Sequence, residues 1–149
     1  MSCDALDARA LVREQLRAKY TEAKALFYSL RDDVFTDKEI ICAKEWREVC
    51  RSGVSSDVDK LLELSRLKLR MLHAYYDLQL VLQPDYFAQY TAEWIYLVDC
   101  TLHDNMLSYA SEDDAFEAGC EIGGFPTGVF TAKVMAHNLD ENIRMLNFF

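Results

Sequence analysis

Proline and glycine are scarce, two and five residues among 149. A many-stranded β-sandwich needs turn residues roughly every 8–12 positions, so this chain is too poor in them to be one. No apolar run reaches the roughly 18 residues that a membrane span requires. Basic residues almost vanish from the second half: residues 83–149 hold only Lys133 and Arg144 against eleven acidic groups. Nucleic-acid binding draws its affinity from Lys and Arg on phosphates, so this half is expected to repel DNA and RNA. Cysteines are present but in no C-x-x-C pair, and their number, five, is odd (Cys3, Cys42, Cys50, Cys100, Cys120). All five are read as free thiols in a reducing compartment, the cytoplasm or the nucleus. The first residues, Met1 to Asp7, lack the basic-then-apolar order of a secretory signal.

Apolar and charged content are those of a folded globular chain, 51% and 28%. The length suits one domain over residues 1–149, large enough to bury a core without a metal or a disulfide. The net charge of −9 is entirely a property of the second half, because residues 1–82 carry 14 basic and 14 acidic groups. Its densest run is Glu112-Asp113-Asp114, followed by Glu117 and Glu121.

Helical periodicity dominates the pattern. Val12, Leu16, Tyr20, Ala23, Phe27 and Leu30 share one face of a helix expected over 4–31. Thr36 and Glu39 form a capping box, with Phe35 and Ile40 as its hydrophobic staple, opening a second helix that ends near Gly53. A third is expected over 57–82, with apolar residues broad enough to meet neighbours on two sides. Gln83-Pro84 breaks it, and Phe87, Tyr90, Trp94, Leu97 and Met106 suggest a fourth helix to about Ala110, antiparallel to the third. In that reading Trp94 anchors the hairpin. Ser111 caps a short helix ending near Gly119, and a last helical stretch follows from Pro126 to Asn147, with a second capping box at Asn138 and Glu141. The expected fold is all-α: a compact antiparallel bundle of five or six helices with a long central hairpin.

Several chemistries fail on spacing. The Gly119/Gly124 and Gly123/Gly128 pairs match a phosphate loop only in part, since Phe125 and Val129 stand where its lysine belongs. His73 and Asp77, or Asp99 and His103, lie four apart and could each share a helix face, with Glu93 near the level of the first pair. The two pairs fall at different levels of the expected hairpin, and no Glu-x-x-His is present. Cys100, His103 and Asp104 crowd one helix turn, whereas nucleophile, base and orienter usually come from separate elements. No metal, cofactor or catalytic residue is assigned.

The aromatic residues suggest a surface. Tyr75 and Tyr76 are adjacent, as are Tyr86 and Phe87, so the members of each pair point about 100° apart and cannot all face one neighbour. Tyr76, Tyr86 and Tyr96 are the expected walls of a groove, Glu112, Asp113 and Asp114 its acidic rim, and Phe148 and Phe149 a second apolar anchor. The function that follows is non-enzymatic: an adaptor, a homodimer or a binder of a basic amphipathic helix from a partner protein. The alternative is a small helical enzyme or metal protein built on His73, Asp77 and Glu93 or on the Cys100/His103 neighbourhood.

Overall fold

A computed structural model describes residues 3–35, 58–102, 106–123 and 128–134. Its elements are α1 (Cys3–Val34), α2 (Val58–Leu82), the short α3 (Pro84–Ala88), β1 (Trp94–Leu97), α4 (Glu112–Gly123) and β2 (Phe130–Lys133). The expected bundle of five or six helices is therefore corrected. The described residues form four helices and a two-stranded antiparallel sheet.

The long helices form where periodicity placed them. Val12, Leu16, Ala23 and Phe27 of α1 are buried, with Tyr20 and Leu30 half-buried beside them. Val12 and Leu16 meet Leu78 and Val81 near the C-terminus of α2, whereas Ala23 and Phe27 meet Leu64 and Met71 nearer its start. Asp33 faces Lys60 at 3.8 Å and Glu22 faces Arg70 at 3.9 Å. The two helices thus run antiparallel, and they are the central hairpin in place of the expected pairing of the third and fourth helices.

The fourth helix stops after one short run. Pro84 starts α3, but Tyr90, Thr91 and Glu93 each donate a backbone N–H to a carbonyl three residues back. The Thr91 hydroxyl also donates to the Ala88 carbonyl at 3.0 Å, and Ala92 takes a φ of 70°, which turns the chain out of the helix. Trp94-Ile95-Tyr96-Leu97 then offers aromatic and β-branched side chains that suit a pleated surface. Ile95 and Leu97 are buried while Trp94 and Tyr96 are half-buried, a period of two rather than 3.6. Trp94 is consequently a strand residue and not the anchor of a helical hairpin.

The last expected helix is corrected in the same way over its described part. Phe130–Lys133 pairs with β1 in the register Leu97↔Phe130 to Trp94↔Lys133. Ile95, Leu97, Phe130, Ala132 and Val134 face α2, where they join Leu72, Tyr76, Leu80 and Phe87. On the other face α4 lies close to the sheet: a Cβ at Gly119 would stand 2.5 Å from Val129 Cγ1 and 3.2 Å from the Tyr96 ring. Ser111 caps α4 as expected, accepting the Asp114 N–H at 3.2 Å, though the helix continues to Gly123. The Thr36–Glu39 capping box with its helix, and the capping box at Asn138, lie outside the described residues.

Two stability measurements separate the strand from the expected helix. Ile95 is 1% exposed, and Ile95→Ala is expected to cost about 2–5 kcal/mol in chemical denaturation. Ala92 is exposed with a left-handed backbone, so Ala92→Gly is expected to stabilise by about 1 kcal/mol.

Candidate interaction groove

The pairing at the start of β1 creates the groove. Trp94 N–H donates to the Tyr109 carbonyl at 2.7 Å, and Tyr109 N–H returns the bond to Trp94 at 2.8 Å. Beyond this bridge the chain segments diverge. Between them opens a groove of about 330 Å³ lined by Tyr96, Leu97, Val98, Asp99, Thr101, Met106, Leu107 and Ile122. The size is at the low end for a ligand-binding cavity, roughly 300–1,000 Å³. Leu107 is 67% exposed and Ile122 55%, so the two aliphatic side chains at the rim are mostly in water.

The charged side chain on the groove's described lining is acidic. Asp99 is on its wall, and Glu121 is the exposed neighbour of Ile122 on α4. No basic residue lines it among the described residues. Lys133 sits opposite Trp94, at the end of the sheet away from Tyr96 and Val98. By contrast, three basic residues of α2 are held in ion pairs: Lys60 with Asp33 at 3.8 Å, Arg66 with Glu63 at 2.7 Å and Arg70 with Glu22 at 3.9 Å.

The residues expected to form one surface are divided between two faces. Tyr76 is buried, in edge contact with Phe87 at 5.5 Å and tilted against Phe130 at 5.6 Å. Tyr86 is half-buried in the same aromatic cluster, 5.6 Å from Tyr90. Tyr96 lies across the sheet from them, lines the groove, and stands 6.2 Å from the Tyr109 ring. Glu112, Asp113 and Asp114 are exposed on the first turn of α4. Glu112 accepts the Thr131 hydroxyl at 3.1 Å, which ties that turn to β2. Ile122, at the opposite end of α4, is the residue that reaches the groove. Phe148 and Phe149 lie outside the described residues. Met106, Leu107 and Ile122 were legible in the sequence only as helix or loop positions, because nothing in their spacing marked a divergence from a strand.

A second, shallow cleft is lined by Leu26, Leu30 and Leu67 with Asp32, Asp33 and Glu63.

The titratable groups considered for catalysis are arranged otherwise. His73 Nε2 lies 3.5 Å from Asp77 Oδ2, and the imidazole stacks on Phe130 at 5.2 Å. Glu93 is in the turn before β1 and His103 is outside the described residues. Among the described residues no three His, Cys, Asp or Glu side chains converge as a metal site. Cys100 packs at the junction of the α1/α2 core with the sheet core, against the Tyr20 hydroxyl. Burial pushes its thiol up, with Asp99 adding to the effect, while Tyr20, Lys24 and Lys68 oppose it. That is the reverse of an activated thiolate. Tyr20, Tyr75 and Tyr76 are also raised, in each case chiefly by burial.

No family model matches the chain, and no curated protein or solved structure is significantly similar to it.

Asp77 supplies a pH test of this region. Its carboxyl is raised above the ordinary aspartate value of 3.8 by burial, with His73 and Lys19 pulling the other way. The folded protein therefore keeps a proton that the unfolded chain has released. Stability falls as pH rises from 3.8 through the raised value, and the cost is complete above it. In Asp77→Asn the denaturation midpoint should exceed that of the wild type above this interval, and the difference should close as pH falls below it.

Proposed function

We propose that this chain is a non-enzymatic protein-interaction module whose groove between β1 and residues 106–109 takes a short basic segment of a partner protein. The observation that carries the reading is the combination of an apolar groove, exposed Leu107 and Ile122 at its rim, Asp99 on its wall, and no lysine or arginine lining it among the described residues. Apolar side chains of the partner fill the groove, and flanking Lys or Arg residues meet Asp99 and Glu121. Charges of this kind steer encounter and reject like-charged competitors more than they add affinity. A second copy of the chain is a poor occupant, because it brings the same net charge of −9 to the contact. The same field disfavours nucleic acid. The cytoplasm or nucleus suits a chain in which Cys100 and Cys120 are free thiols.

Selection of peptides from a random library tests this function. Enriched sequences should combine apolar anchors with Lys or Arg flanks, and their binding should weaken as ionic strength rises. Leu107→Ser combined with Ile122→Ser should abolish binding while leaving the unfolding free energy within about 0.5 kcal/mol per site of the wild type, as for other exposed positions. Enrichment that is insensitive to these two substitutions would place the binding surface elsewhere.

A further inference from the structure

We infer that the groove takes its partner as an extended strand added to the outer edge of β1. This inference rests on the reading of the groove as a peptide site. The backbone sets the direction. Trp94 spends both its N–H and its carbonyl on Tyr109, and the Glu93 carbonyl accepts from Val134 N–H at 3.0 Å. Successive residues of a strand address opposite neighbours, so Glu93, Ile95 and Leu97 turn their peptide groups toward β2, and Trp94 and Tyr96 turn theirs away from it.

A continued antiparallel ladder from the Trp94–Tyr109 bridge would set Tyr96 opposite Leu107. No backbone bond joins those residues, and Tyr96 N–H and C=O have no backbone partner among the described residues. Among the described residues, the unpaired edge therefore begins where the groove begins. Tyr96 and Val98 form one wall, and Met106 and Leu107 the other. An added strand would satisfy the Tyr96 peptide groups, which have no backbone partner among the described residues. Every second side chain of that strand could then enter the groove, the usual division between main-chain affinity and side-chain specificity in strand addition. The outer edge of β2 is a poorer template, because the exposed Lys133 lies on it and a charged lysine blunts edge pairing. Lys133 would also repel a basic peptide.

The test uses the full chain and two capped peptides of leucine and lysine, each about ten residues long, with the same composition. In one the two residues alternate; in the other the leucines recur at helical spacing. The alternating peptide is expected to bind and to slow hydrogen exchange at the Tyr96 amide. N-methylation of one set of its alternate backbone nitrogens should weaken binding about tenfold or more, and methylation of the other set should leave it nearly unchanged. Binding of the helical peptide in preference, lost in the Leu107→Ser/Ile122→Ser protein, would overturn strand addition while leaving the groove as an interaction site. Binding of the alternating peptide without Tyr96 protection or methylation parity would overturn strand addition as well. Binding of neither peptide would overturn both readings.

Discussion

α2 carries more apolar surface than one neighbour can cover, and the rest of the structure is arranged around that excess. Leu64, Met71 and Leu78 face α1, whereas Leu72, Tyr76 and Leu80 face the sheet and α3. Each stripe is covered by a different kind of element. A second long helix suits the first, because two apolar stripes can interlock over their length. The second is met by a pair of strands and by Phe87, which is fully buried. Removing either cover would expose a row of large side chains to water, at about 1.5–3 kcal/mol for each one fully transferred.

The two faces of the small sheet differ accordingly. Toward α2 it presents Ile95, Leu97, Phe130, Ala132 and Val134. Toward α4 it presents Tyr96 and Thr131, and the helix answers with Ala115 and Gly119. Small residues at that contact bring the α4 backbone close to the strands. They also leave α4 little apolar surface to bury there, so its acidic side chains, Phe116 and Ile122 remain toward solvent. The acidic surface and the exposed rim of the groove thus arise from one close approach.

Legibility in the sequence followed the length of each pattern. α1 and α2 repeat a helical period over many turns, and their faces, including the double-sided burial of α2, could be read directly. The Ser111 cap of α4 was legible because its chemistry is local: a hydroxyl placed three residues before the N–H that it accepts. The strands were not. Four residues are too few to separate a period of two from one of 3.6, and Phe87, Tyr90, Trp94 and Leu97 satisfy helical spacing by coincidence. The partners that make Trp94–Leu97 a strand are distant in sequence, at Tyr109 and Phe130–Lys133. Tyr96 could be singled out as an aromatic that does not fit one face, but its separation from Tyr76 and Tyr86 by the thickness of the sheet could not.

The two strands are joined through residues 98–129, which contain α4. The sheet is therefore the clasp of a long loop rather than a tight hairpin. Closing such a loop costs entropy that grows only with the logarithm of its length, about 0.6 kcal/mol for each doubling. The clasp depends on the loop only where the loop packs or pairs: Cys100 at the junction of the cores, Leu102 and Met106 against the sheet core, Tyr109 on Trp94, and Ala115 and Gly119 on α4. The helical pair and the sheet can remain as they are while the exposed stretches between those contacts lengthen, shorten or change composition. The groove stands at the root of that loop, on the part of the molecule where variation is thermodynamically cheapest.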